Sequence, residues 1–314
     1  MAKYDIEVEG LTKDYGQDIR ALDGVSFQVG QGEIYGFLGP NGAGKSTAVR
    51  ILTTLALPSG GRATVGGFDV RSQPGEVRRV AGVALQEIGL DAVMRADELL
   101  RLQGQLFGLS RPTSIERAWE LIELVGLSEA ADRRVGTFSG GMRRRLDLAL
   151  AMVHQPEVLF LDEPTTGLDP ASRREMWAEV KRLNRQLGMT IFLTTQYLEE
   201  ADTLANRVAI LDQGTIRVEG TPAELKATLG SESINVAFSD DDLAERAKDV
   251  LAHLTTRIQM DRESIRLYLE RAASAIPAVM EQLQLANLRP TAVTLTEPTL
   301  DDVFLRVTGQ RLNE

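Results

Sequence analysis

The sequence predicts an α/β protein, a buried sheet layered with helices, followed by a smaller α+β module. Three observations carry that expectation. Short unbroken apolar runs such as Val158–Leu161 (VLFL) suit parallel strands buried on both faces. Stretches of helical periodicity separate those runs. A glycine-rich segment, Gly39–Thr47, directly follows one strand and opens a helix. A length of 314 residues allows one large domain or two ordinary ones.

Taken in order, Tyr4–Leu11 and Val25–Val29 read as early strands. Glu33–Leu38 (EIYGFL) is a stronger strand because it runs straight into the glycine-rich turn, and Val80–Leu85 is a further one. From about Gly89 to Arg134 the pattern is mostly helical without strand signals, which predicts an inserted helical subdomain over about 89–140. The helix Asp169–Gly188 is fully punctuated: Asp169 to cap it, Pro170 in its first turn, Gly188 to end it. Met176, Val180, Leu183 and Leu187 fall on one face and are expected to meet the core. Thr190–Thr195 and Arg207–Leu211 continue the sheet.

From about Ser231 the character changes. Ile234–Phe238 alternates as a strand, and Leu243, Ala247, Val250 and Leu254 mark a helix. Arg257–Met260 and Ile265–Leu269 flank a turn at Asp261–Glu263; Ile276, Val279 and Leu283 mark a second helix, and Thr291–Leu295 a last strand. The order β-α-β-β-α-β suggests a ferredoxin-like module. The expected domains are 1–230 and 231–314.

Composition excludes several functions. With 35 basic against 45 acidic residues the formal net charge is -10, which argues against a nucleic-acid partner gripped through its phosphates. The absence of cysteine removes disulfides, thiol nucleophiles and cysteine-based metal sites. Of the two histidines, neither His154 nor His253 has the other at a metal-ligand spacing, and His154, before the turn Gln155–Pro156, is expected to be structural. No run is long and apolar enough to cross a membrane, and Met1–Gly10 has no apolar block, so neither a span nor a secretory leader is expected.

Gly39-Pro40-Asn41-Gly42-Ala43-Gly44-Lys45-Ser46-Thr47 fits G-x-x-x-x-G-K-[ST], a loop whose backbone N–H groups surround phosphate oxygens at a helix N-terminus. Lys45 is expected to neutralise the β- and γ-phosphates of ATP, and Ser46 to ligate Mg²⁺. Downstream, the run Val158–Leu161 delivers Asp162 and Glu163 at its carboxyl end. Asp162 is expected to hold the Mg²⁺ and Glu163 to act as general base toward water.

Four further features join these. Phe138-Ser139-Gly140-Gly141-Met142-Arg143 resembles the signature sequence of ATP-binding-cassette (ABC) ATPases, and Thr166–Asp169 is similar to that family's D-loop. Gln86 stands where the family places its Q-loop glutamine, and Tyr15 is similar to the aromatic that stacks on adenine. The resemblance covers roughly residues 4–230. It implies an ABC nucleotide-binding domain in which two copies sandwich ATP. Ser139, Gly140, Gly141 and Asp169 then serve the ATP of the partner subunit, and Gln86 joins Ser46 and Asp162 near the metal. Arg143, Arg144 and Arg145 are expected to form a solvated helix face.

Where the family has a histidine contacting the γ-phosphate, this chain has Gln196, which keeps an N–H donor but cannot titrate near neutrality. That segment (194–202), the signature helix (139–149) and the tail Glu297–Leu305 resemble the ATPase subunits of daunorubicin-resistance-type exporters. The resemblance implies a homodimer, peripheral on the cytoplasmic side of the cell membrane, coupled to a separately encoded permease that exports a hydrophobic compound. The alternative is a soluble ABC ATPase acting on ribosomes or DNA.

Overall fold

The chain divides between Gly220 and Thr221 into two units, each with its own core. The structure, a computed structural model, describes residues 4–16, 19–86, 89–229, 232–255, 257–269, 272–296 and 298–310. Gly230 and Ser231, where the sequence changes character, and Glu297 of the tail lie outside the described residues.

The first unit begins with β1 (Tyr4–Tyr15), β2 (Ile19–Gly30), β3 (Ile34–Leu38), α1 (Lys45–Leu52), β4 (Gly60–Val65), β5 (Phe68–Asp69), α2 (Pro74–Val80) and β6 (Ala81–Ala84). It continues with α3 (Ala96–Leu106), α4 (Arg111–Leu124), α5 (Gly140–Ala151), β7 (Val158–Asp162), α6 (Pro170–Leu187), β8 (Thr190–Thr195), α7 (Leu198–Leu204), β9 (Arg207–Asp212) and β10 (Thr215–Gly220). Six strands form one sheet in the order β10-β9-β3-β8-β7-β6, parallel except for the antiparallel edge strand β10. The parallel run places the carboxyl ends of β3, β7 and β8 side by side, where such sheets bind ligands.

The early strands do not join that sheet. They form an antiparallel one of their own, ordered β2-β1-β4-β5. The period of two along β7 then sorts its side chains between two cores. Val158 and Phe160 pack with Phe27, Tyr35, Phe37 and Phe192 under the antiparallel sheet, with Phe27 and Tyr35 stacked at 5.3 Å. Leu159 and Leu161 pack with Leu146, Met176 and Val180 from α5 and α6.

Asp169 caps α6 by accepting from the N–H groups of Ala171 and Ser172, and Gly188 closes it in the left-handed region at φ 65°. Met176, Val180 and Leu183 are buried as the periodicity predicts, but Leu187 is 51% exposed. It falls in the last turn, beyond the reach of the core. Trp177 is buried instead, its indole N–H donating to Glu200 at 2.9 Å. The segment 89–140 is helical, with α3 and α4 packed on α5.

The second unit contains α8 (Pro222–Ala227), β11 (Glu232–Ala237), α9 (Asp241–Leu251), β12 (Ile258–Asp261), β13 (Ser264–Leu269), α10 (Ala272–Leu285), β14 (Ala292–Thr296) and α11 (Leu300–Thr308). Its antiparallel sheet is ordered β12-β13-β11-β14, the ferredoxin-like arrangement in which the first and third strands are central. Ile234, Val236, Ile265 and Leu267 share a core with Ala244, Ala247 and Leu251 of α9 and Val279 and Leu283 of α10. Leu254 lies beyond the end of α9, and the hairpin turn shortens to Arg262 and Glu263 because Asp261 pairs with Ser264. On the sheet's other side Asp302 of α11 is buried against Arg266 of β13, and its second oxygen accepts from Thr299 N at 2.9 Å in a capping box.

Candidate active site

The loop 39–47 leaves β3 and enters α1 at Lys45. Gly44 makes that entry possible: its φ is 108°, and a Cβ there would lie 2.4 Å from the Ala21 carbonyl. Pro40, Asn41, Gly42, Gly44, Lys45, Ser46 and Thr47 line a cleft together with Ala21, Gln86 and Glu163. Gly39 donates its N–H to Thr195 at 3.2 Å, and Ala43 is buried beneath the loop, accepting from Gly214 N at 3.0 Å.

Glu163 is the hub of the cleft. Its carboxylate meets the buried Lys45 ammonium at 3.2 Å and accepts from the Gln86 amide at 3.3 Å and the Thr166 hydroxyl at 3.2 Å. Lys45 also donates to the carbonyls of Gly39 and Pro40 at 2.7 and 3.1 Å. Burial lowers the Lys45 pKa from its ordinary value, while Glu163 pulls it back up. Glu163 has φ 49°, left-handed for a residue with a side chain, and its N–H is held by the carbonyl and hydroxyl of Thr194, both at 3.1 Å.

Beside the hub, Ser46 donates to Asp162 Oδ1 at 3.1 Å, and Thr194 donates to the same oxygen. A hydroxyl and a carboxylate at this spacing are hard oxygen donors that fit Mg²⁺ when phosphate oxygens and water complete its shell. Among the described residues no cluster of His, Cys, Asp or Glu could hold a metal by itself. The structure places the Gln86 amide on Glu163, not on the Ser46–Asp162 pair.

The remaining expected residues stand outside the cleft's lining. Tyr15 ends β1, 40% exposed, with the Lys13 ammonium 4.9 Å from its ring centre. Gln196 follows β8 directly, two residues beyond Thr194, which is in register with Asp162. Ser139 is exposed and caps α5, accepting from Met142 N at 3.2 Å. The helix therefore begins at Gly140, directly after its cap. Gly140 and Gly141 lie against Leu168 and Ser172, so the signature turn and the Asp169 loop share one face of the chain. Asp169 is exposed, and its hydrogen bonds from the Ser172 side chain and backbone lower its pKa.

The expected solvated row of arginines fails. Arg143 is exposed, but Arg144 is buried, its guanidinium donating to the carbonyls of Leu85, Asp162 and Pro164 and to the Asp147 carboxylate. Helical period was the available signal, since Leu148 and Ala151, on the same face, are buried too. Thr194 was also missed, because nothing local in a buried strand singles out one threonine among its neighbours.

Residues 22–166 match the family described as ABC transporter, and residues 220–308 match the C-terminal domain of DrrA1-3-like ATP-binding proteins. A daunorubicin resistance ATP-binding protein of Streptomyces coeruleorubidus is 46% identical, over 99% of this chain and 97% of its own length. The chain belongs to the ABC transporter family. A linearmycin resistance ATP-binding protein of Bacillus subtilis is 33% identical over 98% of this chain and all of its own. Among solved structures, a dimeric ATP-binding cassette in a post-hydrolysis state with ADP and Pi is 25% identical, with a TM-score of 0.63 over 69% of this chain and 98% of that one. CbiO1 of Clostridium perfringens, part of an ABC transporter complex, has a TM-score of 0.67 at 26% identity, over 71% of this chain and 91% of its own. As an ABC ATPase, this chain binds nucleotide and hydrolyses ATP in the service of transport.

Proposed function

We propose that this ABC ATPase drives efflux of a drug or other hydrophobic compound through a separately encoded membrane permease. It works as a homodimer bound peripherally at the cytoplasmic side of the cell membrane. The observation that carries the catalytic reading is the Glu163 carboxylate, held by Lys45, Gln86 and Thr166 beside the Ser46–Asp162 pair.

In this reading residues 39–47 cradle the phosphates of ATP and Tyr15 stacks on its base. Lys45 moves its charge from Glu163 to the β- and γ-phosphates, which frees a Glu163 oxygen to accept the proton of the attacking water. Ser46 and Asp162 hold Mg²⁺, with Gln86 next to it on Glu163; the ion supplies positive charge to the phosphate oxygens. Gln196 offers a neutral amide N–H to the γ-phosphate. Ser139, Gly140 and Asp169, exposed and away from the chain's own cleft, complete the partner subunit's site together with the half-buried Gly141. A serine at a helix start with flanking glycines is a ready anion site.

The membrane coupling has support in the helical subdomain, which exposes Leu106 at 74% and Trp119 at 47%, with Leu102 and Phe107 also exposed. Among the described residues no helix is long and apolar enough to cross a membrane. The names of the relatives, resistance to daunorubicin and linearmycin, support a drug cargo and give none to a ribosome- or DNA-acting ATPase.

The test is Glu163→Gln in the purified protein. Nucleotide binding persists and turnover is lost; wild-type hydrolysis in that variant removes Glu163 from the mechanism. For the cargo, vesicles holding the chain with its permease should transport daunorubicin in an ATP-dependent way, and an absence of transport of any hydrophobic drug overturns the export assignment.

A further inference from the structure

Arg144 is buried at 4% exposure on α5, yet one bond in four goes to a side chain and the rest to main-chain carbonyls of the catalytic motifs. Its Nε donates to Pro164 O at 2.8 Å and one terminal nitrogen to Asp162 O at 3.0 Å. Those carbonyls flank Glu163, the residue with φ 49°. A left-handed backbone at a side-chain-bearing residue costs about 1–3 kcal/mol and persists only where its surroundings over-determine it. The planar guanidinium, with N–H groups fixed in a fork, is suited to hold both sides of that turn. The other terminal nitrogen donates to Leu85 O, the residue before Gln86, whose amide rests on the Glu163 carboxylate. Asp147 meets the same nitrogen at 3.1 Å and keeps the group oriented from within the helix.

We infer that Arg144 is a positioning residue. It sets the backbone at Glu163 and Gln86 and, through α5, locks that geometry to the Ser139–Gly141 turn at the helix's own N-terminus. In each chain the site that hydrolyses its own ATP is thereby joined rigidly to the turn that reaches the partner's ATP. This rests on the proposed roles of Glu163 and Ser139. A structural ion pair alone would need only Asp147; the carbonyl contacts give the guanidinium its reach into the site.

The experiment compares Arg144→Met and Arg144→Lys with wild type, and with Glu163→Gln as reference. Nucleotide affinity is read by titration with a fluorescent ATP analogue, turnover at saturating ATP by phosphate release, and ATP-driven dimerisation by light scattering in a Glu163→Gln background. Misplacing a catalytic group by an ångström costs about a hundredfold in rate, so Arg144→Met is expected to lose about that much kcat with nucleotide affinity changed less than about twofold. ATP-driven dimerisation should weaken with it. Arg144→Lys, whose ammonium can satisfy part of the carbonyl set, should lose about tenfold and folds even where the Met variant does not. Wild-type kcat in Arg144→Lys, or equal losses of affinity and kcat in either folded variant, overturns the inference. Failure of the underlying reading is separate: it appears as retained hydrolysis in Glu163→Gln, whatever Arg144 does.

Discussion

Each unit of the protein holds an arginine–aspartate pair with at least one partner buried, and the two pairs do different things. In the first unit Arg144 meets Asp147 but spends its other donors on carbonyls at the carboxyl end of β7 and before Gln86. In the second, Arg266 meets Asp302, whose second oxygen is taken by the capping box of α11. Sheet topology accounts for the contrast. Parallel strands bring several carboxyl ends, with their unpaired carbonyls and their loops, to one edge. An antiparallel sheet alternates its ends, so a half-buried arginine there finds a helix to anchor rather than a site to shape. The lesson is that a buried ion pair has no fixed meaning; what its remaining donors reach decides it.

That contrast can be broken by experiment. The largest effect expected is from Glu163→Gln, with turnover down by about a hundred- to ten-thousandfold and nucleotide binding kept, as for loss of a general base. Next, Asp302→Ala leaves Arg266 without its partner and α11 without its capping box. Because Arg266 is partly exposed, the second unit should lose only about 2–3 kcal/mol, measured by denaturant unfolding, with ATP turnover unchanged. A turnover loss as deep as that of Arg144→Met would erase the distinction between the pairs. Ser139→Ala removes the cap of α5 and should cost about 1 kcal/mol of stability. If the turn serves a partner's ATP, turnover falls further than that stability change explains, most visibly at protein concentrations where dimers form.

The smallest effect is on pH. His154 stacks on Phe107 at 4.0 Å, and its Nε2 lies 3.1 Å from the Ala81 carbonyl, so Nε2 carries the proton of the neutral ring. Nδ1 is buried with no acceptor among the described residues. Burial, aided by Arg117, therefore lowers the pKa below its ordinary value, outweighing the hydrogen bond to Ala81. The unfolded chain binds this proton more readily, so the contribution of neutral His154 is complete above about pH 6.5 and is lost as pH falls through the folded pKa. The melting temperature of wild type should fall more between pH 7.5 and 5.5 than that of His154→Gln; equal slopes would remove His154 as the cause.

Much of this was legible in local pattern. Strand β8 begins and ends where the expected strand Thr190–Thr195 does, and Asp169, Pro170 and Gly188 mark the limits of α6 because caps and turns are short-range chemistry. The phosphate loop announces itself for the same reason. What escaped depended on partners far along the chain. The separation of β1 and β2 into their own sheet is a choice of neighbours, and Leu187 lost its place in the core only because the helix outruns what it packs on. Thr194 matters through its register with Asp162.

Sequence by itself determined the family's chemistry: which residues can cradle phosphate, hold a metal or take a proton, since those capacities belong to side chains and their spacing. Only the tertiary structure decided which of them meet. It brought Lys45, Gln86 and Glu163 together and set the Ser139 turn and Asp169 on a separate face. It also turned Arg144, which composition reads as one basic residue in a solvated row, into the group that grips both sides of Glu163. The physical reason is that a buried carbonyl must find a donor, and which donor arrives is fixed by packing across the whole fold.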